Sequence, residues 1–141
     1  MAEKSQASTL SGLARALVQA GKLSETEAET LTSQAAAMGA SFIQQLVAAQ
    51  KMTGSDVARF ASETFGFPLL DLNAYDSAHI IRDAIDPKLV ATHRVIPLYK
   101  RGNRLSVATA DPTNLRALDE IRFQTGLVVD PIIVREDQLT P

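Results

Sequence analysis

The sequence predicts an α+β protein in which a helical subdomain, built from two helix–turn–helix repeats, precedes a small α+β subdomain with a hairpin-containing sheet. Apolar residues in the first half recur at three- and four-residue steps, as they do on one face of a helix. In the second half, two β-rich runs flank a Gly-Asn pair, which is typical of a hairpin. We assign residues 1–72 to the helical subdomain and 73–141 to the α+β subdomain, with a linker at about 73–83.

The first two predicted helices form one repeat unit. Leu13, Leu17 and Val18 lie on one face of the first helix, because their spacing matches the helical period. Gly21 follows at the place where a helix commonly ends in the left-handed conformation. A capping box over residues 24–27 then begins a second, Ala-rich helix.

The next two helices repeat this unit at a fixed offset. The third helix covers about residues 41–50, with Phe42 and Leu46 on its buried side, and the fourth begins at Thr53. Residues that match between the two copies lie 29 positions apart, and they include turn and cap positions. The matching pairs are Leu17 and Leu46, Val18 and Val47, Ala20 and Ala49, Lys22 and Lys51, Leu23 and Met52, Ser24 and Thr53, and Glu27 and Asp56. We therefore expect each copy to bury the apolar stripe of the other.

The second half alternates short helices with strands. A helix begins at Pro87, because proline suits the first helical turn. Strands at 95–99 and 105–109 form the hairpin, and the helix after them ends at Gly126. Residues 127–134 supply further strand, which a central proline interrupts, and this indicates an edge or a bulge.

Composition and charge exclude several classes of function. Hydrophobic residues make up 45% of the chain, which suits a folded domain. The net charge of −2 argues against a nucleic-acid partner. The chain has no cysteine, so it has neither a disulfide nor a thiolate metal site. No apolar run approaches the roughly 20 residues of a spanning helix. We therefore expect a cytoplasmic protein that does not insert into the membrane.

The motifs of common catalytic sites are absent. The chain has no phosphate-binding loop of nucleotide hydrolases, no nucleophile elbow and no HExxH pair. His79 and His93 lack obvious carboxylate or ligand partners in the sequence, and we predict neither a metal site nor catalytic residues. The residues thus indicate a binding or regulatory module rather than an enzyme.

Three cations cluster at the predicted hairpin tip and leave two interpretations open. Lys100, Arg101 and Arg104 either keep the tip soluble and protect an edge strand, or they meet a phosphate or an acidic neighbour.

Seven short segments, in order along nearly the whole chain, carry a family resemblance. They are residues 10–15 (LSGLAR), 17–21 (LVQAG), 65–72 (FGFPLLDL), 93–98 (HRVIPL), 100–105 (KRGNRL), 110–112 (ADP) and 117–126 (ALDEIRFQTG). Together they resemble the N-terminal region of the PilB-type motor ATPases that extend type IV pili, which are related to type II secretion ATPases.

The resemblance implies that the chain is the regulatory part of a larger motor. In that family, a linker and a core with Walker A and Walker B motifs follow such a region, and hexameric ATP hydrolysis drives pilin extraction. ATP and Mg would therefore bind the core, through which the hexamer also forms, and this part needs no cofactor. The implied location is the cytoplasmic side of the inner-membrane pilus machine, where pilus assembly proteins are further partners.

Some relatives bind cyclic di-GMP with their paired repeats, and the resemblance implies this ligand as an alternative. Their pattern is Arg-Leu-Gly, two residues, Leu-Val, two residues, Gly. Leu13, Leu17, Val18 and Gly21 match it in the first copy, whereas Gly12 stands in place of the arginine.

In the second copy, Ser41 replaces the arginine and Gln50 replaces the final glycine. The guanidinium groups that would bind guanine or phosphate are therefore missing. The N-terminal domain of such motors can also bind the small adaptor PilZ, and a degenerate ligand motif that keeps its apolar scaffold suits protein docking. We therefore expect all or some of five residues to contact PilZ. They are Leu13, Leu17, Val18, Phe42 and Leu46.

Overall fold

A computed structural model describes residues 10–75 and 80–139 and confirms the α+β fold. Six helices and a three-stranded sheet alternate along the chain. The helices are α1 (Gly12–Gln19), α2 (Glu25–Met38), α3 (Phe42–Ala48), α4 (Gly54–Phe65), α5 (Pro87–His93) and α6 (Leu115–Thr125). The strands are β1 (Ile96–Arg101), β2 (Arg104–Thr109) and β3 (Val128–Ile133), and short 3-10 turns occupy Leu72–Ala74, Arg82–Ala84 and Glu136–Leu139.

The backbone confirms the predicted repeat at the ends of α1 and α3. The Lys22 amide donates to the Leu17 carbonyl at 2.9 Å, and the Lys51 amide donates to the Leu46 carbonyl at 3.2 Å. These two hydrogen bonds join residues that are equivalent at the 29-residue offset. The same hydrogen-bonded turn therefore closes the first helix of each copy.

The helices of the repeats begin at side-chain caps. The Ser24 hydroxyl accepts from the Glu27 amide, and the Thr53 hydroxyl accepts from the Asp56 amide, in two reciprocal capping boxes. Ser41 also forms a capping box, at the start of α3, and Ser11 caps α1. Each cap satisfies an amide that has no partner within its own helix, so the caps determine where these helices begin.

The sheet has the order β1-β2-β3, with β1 and β2 antiparallel and β2 and β3 parallel. A strand interruption at Pro131 was expected, but β3 continues through it, with Pro131 opposite Val107. Proline is tolerated there because β3 lies at the edge of the sheet, which is one of the two predicted alternatives. The irregularity lies instead in β1, between Pro97 and Tyr99.

Both faces of the sheet are covered by helices. Successive residues of β2 point to opposite faces, so its side chains show what covers each one. Leu105 and Val107 belong to a buried cluster with Leu118 and Ile121 of α6. Ala108 belongs to a second cluster that includes the buried residues of α1 to α4. The sheet therefore lies between the repeats and the α5–α6 layer.

The core crosses the predicted boundary at residue 72. Leu17 of α1 shares one buried cluster with Leu98 of β1 and Ile133 of β3. The Tyr75 hydroxyl, in the predicted linker, donates to the Leu98 carbonyl at 3.0 Å. The division into two subdomains stays a prediction, and residues 76–79 of the linker, with His79, lie outside the described residues.

Within residues 10–75 and 80–139, no helix is both long and apolar enough to cross a membrane.

Candidate functional site

The structure divides the five predicted docking residues into core and surface. Leu13, Leu17 and Leu46 are each 0% exposed, so these side chains cannot contact a partner in this conformation. These three leucines therefore belong to the core and not to a docking surface. The sequence could not separate the two, because core residues and partner-facing residues of a helix have the same spacing. Val18 and Phe42 are half-buried and remain candidates.

A cleft of about 780 Å³ brings parts of both predicted subdomains together. Its lining comes from residues 39–44 around the start of α3, residues 91–94 at the end of α5, and residues 109–111 and 113–116, from the end of β2 to the first turn of α6. Ser11 and Glu136 complete it. Of the predicted docking residues, Phe42 therefore lies at this cleft.

Leu115 adds a second large apolar side chain to the cleft. It is 62% exposed, although its spacing places it on the same helical stripe as the buried Leu118 and Ile121. The sequence prediction missed it because Leu115 is the first residue of α6, where the stripe runs beyond the packed part of the helix. Its position at a helix start was the signal available in the sequence.

The polar part of the cleft contains an ion pair between α5 and the turn after β3. Arg94 Nε lies 2.5 Å from Glu136 Oε1, and the Glu136 side chain is only 8% exposed. Burial raises the pKa of Glu136, and the charge and hydrogen bond of Arg94 oppose this effect without cancelling it. The pair therefore joins two elements at the cleft. Arg94 does not fully compensate the Glu136 carboxylate for the hydration that it loses on burial.

A second buried carboxylate, Asp111, lies in the loop after β2. Burial raises the pKa of Asp111. The hydroxyl and the amide of Thr113 both donate to its carboxylate, and these hydrogen bonds offset only part of the increase. The Thr113 hydroxyl also accepts from the Leu13 amide at 3.1 Å. The loop is thereby hydrogen-bonded to the first turn of α1.

The two positions that hold arginine in the cyclic di-GMP pattern have structural roles here. A Cβ on Gly12 would lie 2.8 Å from the Cβ of Thr113, which is closer than packed side chains allow. The Ser41 hydroxyl accepts from the Gln44 amide at 3.1 Å and caps α3. One position therefore serves close packing and the other serves helix capping.

Several other titratable groups of the described residues form pairs. Among the described residues, no group of three or more His, Asp or Glu side chains is arranged to hold a metal ion. The expectation that His93 has no carboxylate partner is wrong, because its Nε2 lies 2.8 Å from Glu120 Oε2, 27 residues away in the sequence. This hydrogen bond lowers the pKa of Glu120. At the hairpin, Arg104 donates two hydrogen bonds to Asp130 across the β2–β3 pair.

Comparison with known proteins identifies the family. A family model described as the MshEN domain matches residues 65–141, more than half of the chain. The chain belongs to the MshEN domain family. Its match begins in the last turn of α4, so it covers the whole α+β half.

Curated relatives confirm the expected similarity to PilB-type motor ATPases. The chain is 43% identical over 130 residues to the type IV pilus assembly ATPase PilB of Pseudomonas aeruginosa, covering 92% of this chain and 23% of that protein. It is 38% identical over 129 residues to PilB of Acinetobacter baylyi, covering 92% of this chain and 22% of that protein. The chain thus spans less than a quarter of the length of these relatives.

Solved structures share the fold of this MshEN domain. A structure of MshE with cdg superposes with a TM-score of 0.61 at 24% identity, covering 90% of this chain and 92% of that one. A structure of the N-terminal domain of XpsE gives a TM-score of 0.67 at 21% identity, covering 90% of this chain and 88% of that one. The chain therefore shares its fold with MshE and with the N-terminal domain of XpsE.

Proposed function

We propose that this MshEN domain is the regulatory docking region of a type IV pilus assembly ATPase and that it binds the adaptor PilZ at the cleft. The parent protein then powers pilus extension by ATP hydrolysis in a separate core, which binds ATP and Mg and forms the hexamer. The domain works in the cytoplasm, at the inner-membrane pilus machine and its assembly proteins. The curated PilB relatives support this assignment.

The observation that carries the docking proposal is the apolar side of the cleft. Phe42 and the 62% exposed Leu115 both line it, one from the repeats and one from the α+β half. Exposed apolar side chains beside a concave surface are typical of protein-binding sites. A partner that inserts an apolar group between them removes both side chains from water. Val18 stays a prediction, since it does not line this cleft.

Cyclic di-GMP is the second candidate ligand. It is favoured by the solved MshE with cdg and by the retained Leu13, Leu17, Val18 and Gly21 of the ligand pattern. Against it stands Gly12, where the contact with Thr113 leaves no space for an arginine side chain. We therefore rank protein docking first.

Calorimetric titration of the 141-residue chain with PilZ, and separately with cyclic di-GMP, tests the two candidates. We expect heat with PilZ and none with the nucleotide. Leu115→Glu should weaken PilZ binding at least tenfold, about 1.4 kcal/mol, because it places a charge at the apolar side of the cleft. An acidic residue in the first turn of a helix is favourable, so this variant should remain folded.

Phe123→Glu is the matched control for Leu115→Glu. Phe123 is 93% exposed on the same helix, α6, but it does not line the cleft. A glutamate in the last turn opposes the helix dipole, so the control carries the larger stability cost. Unchanged PilZ affinity in Leu115→Glu, or equal losses in both variants, contradicts docking at the cleft. Heat with cyclic di-GMP alone favours the second candidate.

A further inference from the structure

We infer that Thr113, held by Asp111, is a positioning residue that latches the loop after β2 onto the first turn of α1 and thereby sets the place of Leu115 at the cleft. The inference deepens the proposed docking function and rests on it for the identity of the partner. The latch itself rests on the geometry of the loop over residues 111–113 and of Gly12 and Leu13.

The hydrogen bonds of the latch have a defined direction. The Leu13 amide donates to the Thr113 hydroxyl at 3.1 Å, so the hydroxyl acts there as an acceptor. The same hydroxyl lies 2.5 Å from Asp111 Oδ1, where it must donate because an ionised carboxylate has no proton to give. The Thr113 hydroxyl therefore links the α1 backbone to the Asp111 carboxylate through two hydrogen bonds.

Asp111 orients Thr113 by two bonds at once. Besides the hydroxyl, the Thr113 amide donates to Asp111 Oδ1 at 2.9 Å. The carboxylate is largely shielded from water and depends on these donors to offset its lost hydration. Loss of the hydroxyl would thus weaken the hold on α1 and leave the carboxylate with one donor fewer.

Close packing completes the latch. A Cβ on Gly12 would lie 2.8 Å from Thr113 Cβ and 3.0 Å from Thr113 Cγ2. Only glycine therefore allows the loop to approach α1 closely enough for the Leu13 amide to reach the hydroxyl. The need for glycine here arises from this approach, since Gly12 lies within helix α1 and has no left-handed backbone conformation.

The latch bears on docking because it is part of the cleft. Ser11, Asp111 and Thr113 all line the cleft, and Leu115 follows Thr113 by two residues. A loop held on α1 keeps Leu115 at a fixed distance from the repeats, whereas a released loop lets it move. We therefore expect the partner to bind the latched form more tightly.

Amide hydrogen exchange in the 141-residue chain tests the latch without any partner. Thr113→Val keeps the shape of the side chain but removes its donor and acceptor, and the Leu13 amide should then exchange at least tenfold faster. Thr113→Ser keeps the hydroxyl and should restore slow exchange. The Gln44 amide, capped by Ser41 at the same cleft, is the internal reference and should not change. Unchanged Leu13 exchange in Thr113→Val, or equal acceleration of Leu13 and Gln44, overturns the latch.

Gly12→Ala tests the packing half of the inference. The added methyl group should separate the loop from α1 and accelerate Leu13 exchange as Thr113→Val does. Protection of Leu13 equal to that of the unmodified chain would contradict the close-approach requirement.

Titration with PilZ then tests the positioning role. Thr113→Val should weaken binding at least threefold, and Thr113→Ser should not. Faster Leu13 exchange with unchanged PilZ affinity overturns the positioning role and leaves a purely structural contact. If the unmodified chain does not bind PilZ, the proposed docking fails, whereas the latch is judged by the exchange data alone.

Discussion

Two equivalent residues, Gly21 and Gln50, close the first helix of each repeat in the left-handed backbone conformation. Their φ values are +76° and +60°. Glycine adopts this conformation without steric cost, whereas an L side chain loses roughly 1–2 kcal/mol there. Gln50 keeps the conformation because the same hydrogen-bonded turn follows both helices. The second copy therefore has backbone strain at Gln50, whereas the equivalent Gly21 of the first copy has none.

Gln50→Gly should stabilise the protein. Release of the left-handed strain outweighs the larger chain entropy of glycine in the unfolded state, and we expect a gain of about 0.5–1 kcal/mol in the free energy of unfolding. Urea denaturation measures it. The reverse change, Gly21→Ala, should cost about 1 kcal/mol, although nothing within 4 Å would touch the new Cβ. A loss of stability in Gln50→Gly would show that the glutamine side chain contributes more than the strain costs.

At the scale of the elements, reciprocal capping boxes define the helix starts. Glu27 illustrates how one box connects with the other copy. Its side chain accepts from the Ser24 amide at 2.9 Å and forms an ion pair with Lys51 at 2.7 Å. The hydrogen bond from Lys51, followed by that from Ser24, lowers the pKa of Glu27 to about 2. The Glu27 carboxylate of this capping box therefore stays ionised over nearly the whole acidic range.

Ser24→Ala should lower the free energy of unfolding by about 1 kcal/mol, because the Glu27 amide loses its acceptor at the start of α2. Thermal or urea denaturation monitored by circular dichroism measures the change. Thr26→Ala, at an exposed position of the same turn, is the control and should alter stability by less than about 0.5 kcal/mol. Equal effects of both substitutions would contradict a specific capping contribution.

At the scale of the whole molecule, two shielded carboxylates at the cleft affect how stability depends on pH. Burial raises the pKa values of Asp111 and Glu136 above those of the unfolded chain. The folded state therefore binds more protons than the unfolded state in the window between the two pKa values of each group. The stability that these groups contribute is present at acidic pH and is lost as the pH rises through the folded-state pKa.

Asp111→Asn should reveal this effect as a difference from the unmodified chain. We expect the stability of the unmodified chain, relative to Asp111→Asn, to increase as the pH falls from neutral toward the ordinary pKa range of a carboxyl group. Urea denaturation across this pH range measures it. Glu27→Gln serves as the control of opposite sign, because the lowered pKa of Glu27 makes its contribution decrease as the pH falls toward 2. A difference for Asp111→Asn that declines on acidification would contradict a raised pKa.

The sequence by itself determined the local structure of this protein. Capping residues and turn glycines act on their sequence neighbours, and the 29-residue offset is visible in the sequence itself, so the four repeat helices were predicted from them. The hairpin was predicted from two β-rich runs around a Gly-Asn pair. Pro131 indicated an edge strand or a bulge, since proline lacks the amide that a central strand needs, and the sheet order shows the edge.

Tertiary packing decided which apolar residues are core and which face the cleft. Helical spacing marks Leu13, Leu17 and Phe42 alike, and only the packing of the complete fold shows that the two leucines are buried. The same limit applies to Leu115, which has the spacing of the buried Leu118 and Ile121 but is exposed at the start of α6. The Thr113–Leu13 contact joins residues 100 positions apart, and no local pattern encodes such a distance. Burial and long-range contact depend on what the rest of the chain places nearby, and that becomes defined only when the fold is complete.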